Sequence, residues 1–248
     1  MLIFPAILAG RQSTADALPD GTCAEKRCSQ SGPPVRFPFQ LRGKQPAGIN
    51  CSYNPGYDLY CDESNRTILE LPSSIKFLVT EIDYASQMMQ VKPAEYCIAK
   101  QLRHLNLSTT PFQFFTSTGP SVFEDKFSLF NCSTKINREV IPGEIIHCLG
   151  TPGYTVFWIP LDTDLSGSDL RGCTKIFDTV TVPDVIFFED STMNLTWSLP
   201  ECKNCKNRGG VCGREIKETN QIRCFRHSGR PMKIYYIVGK FCLYRHYY

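Results

Sequence analysis

The chain has 248 residues, a formal net charge of +3, a hydrophobic share of 42% and a charged share of 21%. These values exclude an intrinsically disordered chain, and no stretch reaches the roughly 18 to 20 apolar residues that a membrane-spanning helix needs. Single cores rarely grow far beyond ~200 residues, so the length favours two modest domains. The 17 glycines and 17 prolines indicate many turns, which is typical of short-stranded β proteins.

The first 22 residues have the features of a signal-peptide-like leader. Leu2 to Ala9 is an apolar run without a basic region before it. Ala15-Asp16-Ala17 then gives the small-x-small pattern that precedes signal cleavage. We therefore expect residues 1–22 to direct the chain into the secretory route.

Residues 23–105 are predicted to form a first β module. Between Cys23 and Cys61, proline, glycine and asparagine separate short strands. The segments 67–71 and 75–84 have the composition of consecutive strands. Simple alternation in the second strand places Phe77 and Val79 on one face, and the opposite face would carry Leu78, Thr80, Ile82 and Tyr84.

Residues 106–225 are predicted to form a second, cysteine-rich module with little helix. β-branched and aromatic residues indicate strands at 127–130, 154–159 and 180–182, and a short helix is expected around 166–172. The module ends in a compact cysteine knuckle between Cys202 and Cys224. The last 46 residues, 203–248, are basic, with 11 Lys or Arg against 2 acids. The part after the knuckle, residues 226–248, is predicted to be a poorly ordered basic tail. The predicted fold class is therefore mainly β, with two small disulfide-rich modules.

Thirteen cysteines indicate an oxidising compartment, because a reducing cytosol would leave most of them as free thiols. Twelve are disulfide candidates, and their pairing does not follow from sequence. The thirteenth, Cys242, is left either unpaired or available for an intermolecular bond. The candidates are Cys23, Cys28, Cys51, Cys61, Cys97, Cys132, Cys148, Cys173, Cys202, Cys205, Cys212 and Cys224.

The last four of these cysteines also allow a zinc site. A C-x-x-C pair such as Cys202 and Cys205 is the usual half of such a site. The other cysteines and the glycosylation sequons favour disulfides instead, so we predict neither a metal nor a cofactor.

Five Asn-x-Ser/Thr sequons agree with a secreted glycoprotein. Together with the cysteines they favour the secretory route, and they predict that the acceptor asparagines lie on exposed turns or loops. These asparagines are Asn50, Asn65, Asn106, Asn131 and Asn194.

Motifs spread over residues 23–225 resemble a plant family: the galacturonan-binding ectodomain of wall-associated receptor kinases with its C-terminal companion domain. The same ectodomain occurs in leaf-rust-resistance-type receptor kinases and in membrane RING-finger ubiquitin ligases. The first-module motifs are Cys23 and Cys28, the run Val35-Arg36-Phe37-Pro38-Phe39, Cys51 with Tyr57-Asp58-Leu59-Tyr60-Cys61, and Ile82-Asp83-Tyr84 before Cys97. The second-module motifs are Phe130-Asn131-Cys132-Ser133, Cys148, Cys173, and Trp197-Ser198-Leu199-Pro200-Glu201-Cys202 leading to Cys205 and Gly209-Gly210-Val211-Cys212-Gly213.

The resemblance implies binding of pectic polygalacturonate in the plant cell wall, by a secreted protein or on the extracellular face of the plasma membrane. A polymer with one carboxylate per sugar calls for basic residues. The predicted surface carries Lys26, Arg27, Arg36, Arg42 and Lys44, with Tyr53 and Tyr57 as platforms for sugar faces. No nucleic-acid partner is expected, and membrane association would require a longer form of the chain.

An alternative function is protein recognition or a decoy role in defence signalling, with a receptor ectodomain as partner. Five phenylalanines motivate this hypothesis, although burial in the core is their more common role: Phe112, Phe114, Phe115, Phe187 and Phe188. An enzyme is not expected, and we assign no catalytic residues, because the sequence has neither a Gly-x-Ser-x-Gly elbow nor a His-Glu-x-x-His helix.

Overall fold

A computed structural model describes residues 23–45, 49–115, 124–168, 170–188, 191–214, 222–225, 237–238 and 241–242. The predicted leader and most of the predicted basic tail lie outside these ranges. Within them the fold is mainly β, which confirms the predicted class. No helix among these residues is long and apolar enough to cross a membrane.

The described strands are short. In chain order they are β1 Gln40–Leu41, β2 Asp58–Cys61, β3 Thr67–Leu71, β4 Ile75–Asp83, β5 Met88–Pro93, β6 Phe112–Phe114, β7 Glu124–Asp125, β8 Phe127–Ser133, β9 Glu144–Ile145, β10 Tyr154–Pro160, β11 Cys173–Asp178, β12 Val182–Pro183, β13 Met193–Trp197, β14 Val211–Arg214, β15 Ile222–Phe225, β16 Ile237–Val238 and β17 Phe241–Cys242.

Described helices are limited to single turns. One short α-helix, α1, spans Lys203–Asn207, and the 3-10 turns are Pro55–Tyr57, Pro72–Ser74, Ile98–Lys100, Leu102–His104, Arg138–Val140, His147–Leu149 and Asp184–Phe187. The helix expected around residues 166–172 is wrong, because the described residues there form turns and irregular chain. Their Ser-Gly-Ser sequence favours turns over a helix interior.

The larger sheet has seven strands in the order β1-β2-β3-β4-β5-β13-β6. All neighbours are antiparallel except β1 and β2. Strands β6 and β13 come from beyond residue 105, so chain from both predicted modules builds this sheet. The boundary at residue 105 stays a prediction, but it does not separate one sheet from the other.

A β-bulge in β4 corrects the predicted orientation of its side chains. The register against β5 shifts between Val79 and Glu81, so one extra residue lies on β4. The alternation therefore reverses beyond the bulge. As a result Ile82 and Tyr84 join Phe77 and Val79 in the core, where simple alternation placed them on the opposite face.

Gln87 ties the turn between β4 and β5 to the end of β13. This side chain is 1% exposed, and its Nε2 donates a hydrogen bond to the Trp197 carbonyl at 2.9 Å. Its Oε1 accepts a hydrogen bond from the backbone nitrogen of Cys202 at 3.1 Å. Because both bonds are buried and cross more than a hundred residues of sequence, they fix the start of the cysteine knuckle against the first sheet.

The second sheet has four antiparallel strands in the order β11-β8-β10-β9. Its apolar face shares a core with the larger sheet, since Phe127 and Trp158 belong to the same buried cluster as Phe39, Phe77 and Trp197. The described residues also form three small two-stranded sheets: β7 with β12, β14 with β15, and β16 with β17.

Six disulfides use the twelve candidate cysteines and supply the pairing that the sequence left open. They join Cys23 to Cys51, Cys28 to Cys61, Cys97 to Cys148, Cys132 to Cys173, Cys202 to Cys212, and Cys205 to Cys224. The four cysteines considered for zinc are thus bonded to one another. In the described part of the chain, no group of three or more metal-ligating side chains is arranged around a common point.

Candidate functional site

The segment between Cys23 and Val35 folds back on itself and presents several cations on one surface. Lys26 and Val35 pair through two backbone hydrogen bonds of 2.8 Å. The next residue, Arg36, is fixed by Tyr84, whose hydroxyl accepts a hydrogen bond from the Arg36 backbone nitrogen and donates one to the Pro34 carbonyl, both at 2.9 Å. Burial raises the pKa of the Tyr84 hydroxyl, so it stays protonated and keeps this role.

One carboxylate is shared by two arginines at this surface. Glu25 lies 3.1 Å from Arg27 and 3.2 Å from Arg36. The Lys44 ammonium donates to the Arg27 carbonyl at 3.3 Å, which brings a third cation beside the pair. The Glu25 cluster consists of these four residues, Glu25, Arg27, Arg36 and Lys44, together with Lys206.

Lys206 is the member of this cluster that the sequence did not reveal. It lies on α1, far along the chain, and its Nζ is 5.9 Å from the centre of the Tyr84 ring. The Arg36 guanidinium lies over the same ring at 4.3 Å. Burial, and then the charge of Arg36, lower the pKa of Lys206 to about 8. The basic composition of the knuckle was the available signal, but it did not say which residue faces the first module.

The Glu25 cluster therefore sets four cationic groups against one carboxylate. The Glu25 side chain is 38% exposed. The side chains of Arg27 and Arg36 are 41% and 31% exposed. Solvent therefore reaches both the carboxylate and the arginines that it joins. An incoming carboxylate would find charge-assisted donors here without a large desolvation cost.

The other two predicted cations lie outside the cluster. Arg42 is exposed, and its guanidinium is 3.5 Å from the Asp58 carboxylate. Lys26 is half-buried and has no ion pair within the described part of the chain. The structure thus brings Arg27, Arg36 and Lys44 together and leaves Arg42 neutralised by a neighbour.

The structure corrects one of the two predicted tyrosine platforms, Tyr57, and leaves the role of Tyr53 a prediction. Tyr57 is completely buried, packs on Phe39 and Phe112, and donates its hydroxyl to the Leu199 carbonyl. It cannot stack on a sugar. Tyr53 is half-buried, packs edge-on against Tyr57 and lies against the buried cluster that Phe37 forms with the knuckle cysteines. Its carbonyl accepts a 2.7 Å hydrogen bond from Arg214, so its contacts hold the knuckle in place.

Three of the five sequon asparagines lie where the sequence predicted. Asn50, Asn65 and Asn106 are exposed and outside strands. Asn131 and Asn194 are a correction, because they lie inside β8 and β13, each between two neighbouring strands. A sequon is a tripeptide pattern, and it contains no information on the strand that surrounds it.

The five phenylalanines of the alternative function separate into core and surface residues. Phe112 and Phe187 are buried, Phe114 is half-buried, and Phe115 and Phe188 are about half exposed. Burial thus accounts for two of the five fully. Phe188 lines a cleft.

Comparison with known proteins agrees with the first-module motifs. Residues 23–93 match the family model described as wall-associated receptor kinase galacturonan-binding. This confirms the family resemblance. At family level the match is thus to a galacturonan-binding type of ectodomain, and it covers residues 23–93 of this chain.

Similar curated proteins come from Arabidopsis thaliana. The RING-H2 finger protein ATL22 is 29% identical over 91% of this chain and 56% of its own length, and the putative RING-H2 finger protein ATL21A is 30% identical over 82% and 54%. A leaf rust 10 disease-resistance locus receptor-like protein kinase-like protein, 1.2, is 26% identical over 79% of this chain and 31% of its own length.

The chain spans a little over half the length of the two RING-H2 relatives. The similarity extends well past residue 93, so it includes the companion region with its knuckle. No solved structure matches the chain.

Proposed function

We propose that this protein binds pectic polygalacturonate in the cell wall and that the Glu25 cluster receives the uronate carboxylates. The observation that carries this proposal is the shared Glu25 carboxylate, which is outnumbered by Arg27, Arg36, Lys44 and Lys206. The family match of residues 23–93 supports the ligand class.

The cluster favours a weak, repeated interaction over a tight single contact. Exposed ion pairs contribute about 0.2 to 1 kcal/mol each, and salt screens them. Retention on a wall would then depend on one polymer meeting many protein copies, which raises the effective concentration. We also propose that the protein does not cleave its ligand and that it acts outside the cell, as a secreted protein or as the ectodomain of a longer form.

Neutralising the cluster should remove polygalacturonate binding. In the triple variant Arg27→Gln, Lys44→Gln, Lys206→Gln, Glu25 keeps Arg36 as its partner, but the surplus positive charge is gone. We expect the affinity for oligogalacturonides to fall about tenfold or more, because three weak attractions are lost together. Titration calorimetry on the oxidised, glycosylated protein at low and moderate salt measures this change.

A matched triple variant distinguishes an effect of the Glu25 cluster from an effect of the protein's net charge. Lys100→Gln, Lys126→Gln and Lys135→Gln remove the same charge from exposed positions outside the cluster. This control should bind as the wild type does. An equal loss of affinity in both triple variants would mean that net charge alone is responsible, and it would contradict the assigned site. A wild-type protein that binds no oligogalacturonide would contradict the proposed function.

Binding should also weaken at alkaline pH because of Lys206. With a pKa of about 8, the ammonium is almost fully present at pH 7 and below, and it is lost progressively as the pH rises through 8. A bound carboxylate favours the charged form, so affinity should be constant from about pH 5 to 7 and fall roughly two- to fivefold towards pH 9. In the Lys206→Arg variant the decline should disappear, since arginine stays charged. The same decline in that variant would show that another group is responsible.

A further inference from the structure

A cleft lies between the two sheets, and no member of the Glu25 cluster lines it. The cavity measures about 910 Å³, which is within the range of ligand-binding pockets. Its walls come from the first sheet and from the segments at 138–148 and 186–188 of the second module. The disulfide between Cys97 and Cys148 joins the two walls. A ligand in this cleft would contact both predicted modules.

The apolar part of the cleft is partly exposed. Leu78 and Ile145 are half-buried, and Phe188 is 48% exposed. Phe188 also packs edge-on against Trp158 at 6.5 Å, so the core supports the position of its ring. An exposed aromatic ring beside aliphatic side chains suits an apolar group of a ligand.

The charges of the cleft favour an acidic ligand. The Glu144 carboxylate is 3.6 Å from Arg138, and Glu95 accepts a 2.7 Å hydrogen bond from Gln101. Both carboxylates therefore have partners already. Lys92 and His147 also line the cleft, and within the described part of the chain neither has an ion pair. Lys92 thus offers an unpaired positive charge and His147 an imidazole, while Glu144 is ion-paired and Glu95 already accepts a hydrogen bond.

The backbone of the cleft adds a third feature. Strand β9 lies at the outer end of the second sheet, and both of its residues line the cavity. Among the described strands it pairs with β10 alone. An outer strand offers unpaired amide and carbonyl groups to an extended peptide.

We propose that this cleft binds an extended peptide segment that carries an apolar side chain next to acidic residues. The apolar side chain contacts Phe188 and Leu78, and the acidic residues lie near Lys92 and His147. A glycan is less well matched, because its hydroxyl groups call for acceptor carboxylates and these are engaged here. The proposal goes beyond galacturonan binding and uses a different surface.

A peptide array tests this site without a known partner. The probes are synthetic hexapeptides that combine Leu, Phe or Tyr with Asp or Glu, and counterparts in which Lys replaces each acid. The acidic peptides should bind wild-type protein and the basic ones should not. Lys92→Glu and Phe188→Ser should each weaken binding, the former by about tenfold because an attraction becomes a repulsion. Near-ultraviolet circular dichroism shows that the variants are folded.

Two controls keep the outcome interpretable. Lys126→Glu makes the same charge change outside the cleft and should bind the peptides normally, and so should the triple variant of the Glu25 cluster. If acidic peptides bind no better than basic ones, or if Lys92→Glu has no effect, the proposal is wrong. Displacement of the peptide by uncharged cello-oligosaccharides would overturn the peptide assignment in favour of a glycan.

Discussion

A polypeptide that ends at residue 93 is expected not to fold on its own. In the full chain the outer edge of β5 pairs with β13 over four residues, and β13 pairs with β6. The buried side chains of Phe112, Leu195 and Trp197 come from these later strands. Without them the apolar face of the first sheet and the edge of β5 would be open to water.

Expression of residues 23–93 and of residues 23–225, both in an oxidising secretory host, tests this expectation. The longer polypeptide should show a cooperative urea transition, and the shorter one should show none. Dispersed amide proton resonances from residues 23–93 alone would contradict the requirement for β6 and β13. Such a result would also mean that the segment matched by the family model is a complete domain.

Trp197→Ala is expected to cost about 3 to 5 kcal/mol of unfolding free energy. The ring is 3% exposed and lies 4.9 Å from Phe39 in an edge-to-face arrangement. It also packs edge-on against Tyr84 at 6.3 Å, and the Arg36 guanidinium lies over the Tyr84 ring. Removing it leaves a cavity under the Glu25 cluster, so ligand affinity should fall together with stability.

Phe115→Ala is the matched control, since this aromatic residue lies next to β6 and is 47% exposed. Its unfolding free energy should change by no more than about 0.5 kcal/mol. Urea unfolding followed by intrinsic fluorescence or circular dichroism compares the two variants. Equal effects would mean that Trp197 is not part of a cooperative core.

The bulge in β4 shows where reasoning from the sequence reached its limit. The strand itself was predicted, since its β-branched and aromatic residues are typical of strands. The faces of Ile82 and Tyr84 were predicted wrongly, because alternation assumes that the register continues. One extra residue at the bulge reverses the faces beyond it, and this depends on pairing with β5.

The candidate site was likewise predicted only in part from the sequence. Five basic residues between Cys23 and Cys51 were visible in the sequence, and three of them lie together around Glu25. The fourth cation, Lys206, lies far along the chain from these three, and only the docking of the knuckle places it there. Tyr57 was predicted to be exposed and is a core residue, because the aromatic side chains of both modules pack on it.

The sequence by itself determined the mainly β class, the identity of the disulfide candidates and the family resemblance, because these follow from residue types and from local spacing. Only the tertiary structure decided the pairing of the cysteines, the shared seven-stranded sheet and the membership of the Glu25 cluster. These features depend on contacts between residues that are far apart in the chain, and such contacts are set when strands pair and apolar faces are buried together.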